Sequence, residues 1–388
     1  MWRDQGPDTA PARGGELVPG VIGKMAPTSW SERRALVPSA LATLRLDALV
    51  RDINGYLARQ QALTHVEWAP ILTVRASLLG LQRPGRISAN GSCRLCRTLD
   101  GWVAVNLARA DDIALVDALI GGSAGEDPWP AVERYAAGCG SAGLVAGARL
   151  LGLPVALLAD PLPSSRPYEV TQLWPTGPSL NLSGLQVVDL SSMWAGPLTA
   201  MILAGAGAHV VKVESSTRPD GARGTPAFYR WLHPDNQCTE ALDFSRPVGR
   251  DRLRSLIETA DVVIEASRPR ALEQLGVGAT TVAPRAGRIW LSITGYGRTL
   301  PGGDWVAFGD DAAVAGGLVA RDSAGDPEFC GDAIADPVSG LFGARAVLEA
   351  ASSGGGQLID LAMSRCAGAL IASDPPDPPG PPGPPGRD

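Results

Sequence analysis

The chain has 388 residues, 45% of them hydrophobic, and a formal net charge of −6. That length is enough for two domains with their own cores, and the acidic balance with no basic run excludes the usual nucleic-acid partner. No apolar run approaches the roughly 20 residues of a membrane span, and the N-terminal stretch lacks a signal-peptide core, so a cytoplasmic location is expected.

Residues 1–28 are rich in Gly and Pro and are expected to be disordered, with Met25 as a second candidate start. From Ser29 to Gln82 the pattern is helical, with Ala42, Leu46, Leu49, Ile53 and Leu57 recurring every three or four residues. Asp100-Gly101 marks a turn before a strand from Trp102. Helices are predicted over 111–120 and 131–151, and a short strand over 153–158. Residues 29–160 thus read as a small α+β domain. Residues 161–183, with five prolines, read as a linker.

The second domain is predicted over 184–372, with strands at 185–190, 209–214, 261–265 and 289–294. Helices fall near 197–206, 248–259, 270–275 and 337–351. This alternation predicts an α/β fold: a Rossmann-like parallel sheet with helices on both faces, beside the smaller α+β domain. The tail, 373–388, repeats Pro-Pro-Gly too few times for collagen and is expected to be extended and disordered.

Gly184–Glu214 is the most informative segment. A strand, a tight helix and a second strand within about thirty residues make a βαβ unit, whose ligands bind at the carboxyl ends of the strands. Those ends fall near Ser191–Gly196 and at Glu214. The unit does not fit a dinucleotide site. Gly205 and Gly207 stand at the end of the helix, where they terminate it, rather than before it, where a pyrophosphate needs them. Gly121-Gly122-Ser123-Ala124-Gly125 has nucleophile-elbow spacing but follows a helix, and reads as a flexible loop.

Metal chemistry is not expected. Cys93 and Cys96 form the only close pair of the six cysteines, and His65, His209 and His233 have no metal-like spacing. Carboxylates remain the best reactive groups. Asp336-Pro337 precedes an apolar helical run and reads as an N-cap followed by an N1 proline, a setting that lowers a carboxylate's pKa.

Seven blocks from Val187 to Met363 resemble, in order, the class III CoA-transferase family, which includes formyl-CoA transferase, carnitine CoA-transferase and α-methylacyl-CoA racemase. They are V-V-D-L-S-S-M-W-A-G-P with L-A-G-A-G-A-H-V-V-K-V-E, Pro219–Gly224, Leu242–Asp251, Ala260–Pro269, Leu291–Gly297, Ala335–Gly340 and Gly354–Met363. The resemblance implies that Asp336 is the nucleophile, attacking an acyl-CoA to form a mixed anhydride and then an aspartyl-CoA thioester. It implies no permanently bound cofactor. Coenzyme A or acyl-CoA would be a substrate, a carboxylic acid the acceptor, and a homodimer the assembly.

The same resemblance points to Met193, Trp194, Ala195, Gly196, Pro197, Arg223, Arg268, Tyr296 and Gly297 for CoA binding, with Trp194 either stacking on adenine or packing. The chain departs from the family at Ser215 and at Ala266-Ser267. In the racemase branch a histidine works with the aspartate. Asp310 stands in its place, as a possible acid/base group or simply part of a solvated turn; an unperturbed carboxyl pKa near 4 suits the acid/base task poorly. The alternatives are therefore a 2-methylacyl-CoA racemase and a non-catalytic acyl-CoA-binding subunit. Gly91–Val105 and Leu151–Ala156 resemble later parts of the family, so the domains read as permuted or as a piece of a tandem protein.

Overall fold

A computed structural model of the chain describes residues 21–22, 37–82, 84–158, 166–235 and 237–372. The expected disorder at 1–28 and 373–388 lies outside them, apart from the backbone of residues 21–22. In chain order the elements that frame the site begin with helices α1 (Ala40–Arg59) and α2 (Trp68–Leu79). Strands β1 (Cys93–Arg97) and β2 (Trp102–Asn106), helices α3 (Trp129–Ala137) and α4 (Ser141–Leu150), and β3 (Val155–Leu157) follow. Next come β4 (Tyr168–Gln172), β5 (Gln186–Asp189), α5 (Ala195–Gly205), β6 (His209–Ser215), β7 (Cys238–Leu242), α6 (Pro247–Thr259) and β8 (Val262–Glu265). The last are α7 (Pro269–Gln274), β9 (Ile289–Thr294), α8 (Gly309–Ala315), α9 (Ala335–Ser352), β10 (Gln357–Ala362) and α10 (Met363–Ala369).

Seven strands form one sheet in the order β4-β10-β9-β8-β5-β6-β7. All neighbours run parallel except β4, which pairs antiparallel with β10. Alternation along the strands feeds both faces. Val187, Val262, Ile264 and Leu291 join one core with α5 and α9; Val188, Val263 and Trp290 join another with α6 and α7. The predicted α/β sheet is therefore present, with helices on both faces.

The βαβ unit follows from local chemistry. Gly196 lies so close to Ser191 that a Cβ would fall 2.1 Å from its Oγ. The helix ends in a left-handed Gly207 (φ 99°), with Gly207 N–H donating to Ala204 O and Ala208 N–H to Leu203 O.

Two boundaries differ from expectation. The 161–183 stretch is not only a linker, because Tyr168–Gln172 supplies the sheet's antiparallel edge. Nor do residues 29–160 form one unit. Within it, α1 and α2 pack into the core of the large sheet through Leu46, Ile53, Ile71 and Leu72. The smaller unit is the three-stranded antiparallel sheet β1-β2-β3. Its one face is covered by α3 and α4, its other by Val314 and Ala315 of α8. Period-3.6 hydrophobicity identifies a helix but does not say which core its apolar face joins. Cys93 and Cys96 are free buried thiols that face those two different cores, and burial pushes the Cys96 thiol up to about 12.

Candidate functional site

The carboxyl ends of β5 and β6 are organised by one buried cation. Lys212 has no exposed surface, and its Nζ lies 3.5 Å from Asp189 Oδ2 and 3.3 Å from Asp220 Oδ2. Asp189 accepts the Ser191 N–H at 2.9 Å, and Asp220 accepts the Met193 N–H at 2.9 Å. The charged trio thereby pins the 191–193 turn, in which Met193 adopts a left-handed backbone (φ 71°) that few non-glycine residues take up. Beside it, Arg223 grips Glu214 with two nitrogens, at 2.9 and 2.7 Å. Burial alone would raise the Glu214 pKa; Arg223, the Asp220 amide and Tyr229 outweigh it and hold the carboxyl at about 2.

The second cluster is carboxylate-rich and lies at the head of α9. Asp336 is the second residue of that helix, and Ile334, not Asp336, occupies the N-cap, with no side-chain cap. The predicted capping role is therefore corrected. The approach is a tight turn in which Ala333 is left-handed (φ 44°) and its N–H donates to Asp310 Oδ1 at 3.0 Å. Asp310 is buried, which corrects the solvated-turn reading: it holds the strained turn that presents Asp336. Asp311, also buried, accepts the Phe308 N–H and, at 2.9 Å, Asn106 Nδ2 of the smaller unit. Asp332 is paired at 2.8 Å with Arg75 Nη1 from α2.

Burial dominates the electrostatics. It raises Asp336 to about 7 against the opposing charge of Arg75, with Asp332 and Asp311 adding to the rise and the Gly309 amide lowering it. The expected lowering by the helix N-terminus is therefore overturned, because lost hydration of the carboxylate outweighs the helix field. Burial likewise raises Asp310 to about 8 and Asp311 to about 7. Asp336 is densely surrounded yet keeps partial exposure, unlike the fully packed Asp310 and Asp311. That combination suits a carboxylate that must meet a substrate.

Two helices bring the clusters together. A Cβ at Gly340 would fall 2.7 Å from Ala195 O, and Thr199 Oγ1 donates to Gly340 O at 2.9 Å. Asp336 lies one turn before Gly340 on the same face of α9, on the side of the α5 N-terminus. Arg75 bridges the same gap, its guanidinium 6.0 Å from the Trp194 ring and bonded to Asp332.

The other expected contacts vary. Ala195, Gly196 and Pro197 are buried in the first turn of α5, and Met193 is 40% exposed. Trp194 is buried edge-on to Phe228 at 5.0 Å, so it packs, and the adenine-stacking reading is corrected. Arg223 is committed to Glu214, while Arg268 is exposed at the start of α7. Tyr296 lies beneath Arg149, and Gly297 (φ 98°) donates to Thr294 Oγ1.

Sequence reasoning missed Arg75, Asp332 and the structural role of Lys212. The available signal was a lone cation in an otherwise apolar strand or helix, as in H-V-V-K-V and W-A-P-I-L-T-V-R-A.

Residues 182–384 match the family described as CoA-transferase family III. The chain belongs to this family. It is 34% identical over 217 residues to the succinyl-CoA–L-malate CoA-transferase beta subunit of Chloroflexus aurantiacus, covering 50% of this chain and 53% of that one. It is 30% identical over 214 residues to succinate–glutarate CoA-transferase of Agrobacterium fabrum, with the same coverage. A CAIB/BAIF family protein from Brucella suis, of known crystal structure, is 28% identical, covers 50% of this chain and 56% of its own, and has a TM-score of 0.43. The chain spans about half the length of the curated relatives it matches. Within a family III domain, Asp336 heads α9 directly after the buried Asp310–Asp332 cluster. Among the described residues, no helix is long and apolar enough to cross a membrane.

Proposed function

We propose that the protein moves coenzyme A from an acyl-CoA thioester to a free carboxylic acid, with Asp336 as the nucleophile. The observation that carries this reading is the partly exposed Asp336 carboxylate, its pKa held near 7 at the head of α9, on the side of the α5 N-terminus, in a family III domain. An Asp336 oxygen attacks the thioester carbonyl and the C–S bond breaks, releasing CoA thiolate and leaving an acyl-aspartyl anhydride. The thiolate then attacks the aspartyl carbonyl, which expels the acyl group as a carboxylate and leaves an aspartyl-CoA thioester. An acceptor carboxylate repeats the two steps in reverse, so CoA departs on the new acid and Asp336 is regenerated. One difficult exchange becomes several acyl transfers, provided water is kept away. The turn at Met193–Pro197, Arg268, Tyr296 and Gly297 would bind the CoA, and the enzyme would work as a homodimer.

One observation favours a second reading. Burial lifts Asp310 to about 8, which removes the pKa objection to its carrying a proton in a 2-methylacyl-CoA racemase. Its burial and its bond to Ala333 argue for positioning instead.

Trapping separates the readings. Incubation with an acyl-CoA followed by hydroxylamine should convert Asp336 to a hydroxamate seen by peptide mass spectrometry, and Asp336→Ala should abolish both the adduct and CoA exchange. CoA exchange that survives in Asp336→Ala would falsify the transferase mechanism. Deuterium entering the α-carbon without any acceptor acid would favour the racemase. Tight CoA binding with no turnover, unchanged in the variant, would mark a binding subunit.

A further inference from the structure

A cavity of about 390 Å³ opens between α4 and the Trp305 side chain. Ala142, Val145, Ala146 and Leu150 of α4, with Leu157 and Trp305, make its walls apolar, and Arg149 supplies its one charge. Leu150 is 90% exposed at the rim. The guanidinium lies 3.7 Å from the Trp305 ring centroid and 4.8 Å from that of Tyr296, and the two rings meet edge-on at 5.4 Å.

Arg149 differs from three of the other stacked arginines in lacking a carboxylate partner. Arg94, Arg109 and Arg223 each lie over an aromatic ring and also pair with a carboxylate: Glu133, Asp112 and Glu214. Among the described residues no carboxylate pairs with Arg149, and its Nε is buried without an acceptor. A buried donor without a partner costs about 1–3 kcal/mol, so the arrangement favours an incoming acceptor. Guanidinium geometry matches a carboxylate with two parallel hydrogen bonds, and the volume lies in the range of small-molecule sites.

We propose that this cavity binds a small organic acid with an apolar or aromatic body, its carboxylate on Arg149 and its body against Trp305 and the α4 alanines. The site lies outside the Asp336 cluster, and its occupancy does not depend on the transfer chemistry proposed above.

Calorimetric titration of the full chain with phenylacetate and with phenylacetamide, without CoA, tests it. Phenylacetate should saturate, and the neutral amide should bind at least about tenfold more weakly. Ala146→Trp fills the cavity from an exposed position that the fold does not depend on, and should lower phenylacetate affinity at least about tenfold. Arg149→Met should do the same, while Asp336→Ala should leave the affinity unchanged. The proposal fails if phenylacetate does not saturate by about 20 mM, if the amide binds as tightly, or if Ala146→Trp binds like the wild type. A failed titration with intact CoA exchange would leave the transferase reading standing; the reverse result would leave the acid site standing.

Discussion

Gly309 lies against Asp336 so closely that a Cβ at position 309 would fall 2.5 Å from Asp336 Oδ2 and 2.3 Å from Ala333 O. The glycine leaves room for the carboxylate and also offers it the Gly309 amide. Gly309→Ala should therefore push Asp336 aside. We expect a stability loss of about 1–3 kcal/mol in denaturant unfolding. The fall in CoA exchange should be larger, on the order of a hundredfold, because a small misplacement of a reacting group costs that much. Wild-type exchange rates in this variant would show that Asp336 is not the reacting group.

Burial holds Asp336 at about 7, and a nucleophilic carboxylate must be ionised. The exchange rate should be level above neutrality and fall about tenfold per pH unit below about 7. An ordinary carboxylate would keep the rate level down to about pH 4. A rate profile measured with saturating acyl-CoA distinguishes the two.

Arg75 is the cation that opposes the rise at Asp310, Asp332 and Asp336. Arg75→Met leaves Asp332 buried and unpaired, so the variant should lose about 3 kcal/mol of stability. It should also shift the acid limb of the rate profile to higher pH, because ionising Asp336 becomes harder. A destabilised variant with an unmoved pH profile would show that Arg75 serves the fold alone.

The Asp310 carboxyl is raised in the folded state, so the native protein holds a proton that the unfolded chain has released between about pH 4 and about 8. Its contribution to stability is fully present below about pH 4 and is lost as pH rises through about 8. Asp310→Asn keeps an oxygen for the Ala333 N–H but cannot ionise. Its melting temperature should exceed that of the wild type at pH 9 and approach it at pH 5. A wild-type advantage at pH 9 would show that the charged form is stabilising.

Lys212 neutralises two buried aspartates whose other oxygens hold the Ser191 and Met193 amides. Lys212→Met should cost about 3–5 kcal/mol, as removal of one partner from a buried pair does. Lys212→Met combined with Asp189→Asn and Asp220→Asn should recover part of that loss. CoA binding should stay weak in both variants if the charged trio sets the turn, and recovered binding in the triple variant would assign the trio to stability alone.

Much of the large unit was legible before the structure. Strands predicted at 209–214 and 289–294 occur at 209–215 and 289–294, and the helix predicted at 248–259 spans 247–259. These segments combine period-2 or period-3.6 hydrophobicity with clear Gly and Pro boundaries, so local signal and packing agree. The edge strand Tyr168–Gln172 was hidden because four of its five residues are exposed and prolines surround it. Its pairing partner, β10, lies almost two hundred residues downstream, as the Tyr168↔Leu361 register shows. The allegiance of α1 and α2 was hidden for a related reason: an apolar stripe is compatible with either core.

At the site, the position of Asp336 was readable through the ordered blocks around it, and its ionisation was not. Sequence alone determined the strand–helix alternation, the glycine-terminated helix at Gly205–Gly207 and the likeness to family III, because each depends on neighbours along the chain. Only the tertiary structure decided that Ile334 rather than Asp336 caps α9, that Trp194 packs inside, and that Arg75 meets Asp332 across 257 positions. Desolvation and charge pairing depend on distance in space. The same aspartate that a helix start would keep ionised is therefore held near neutrality by the groups folded around it.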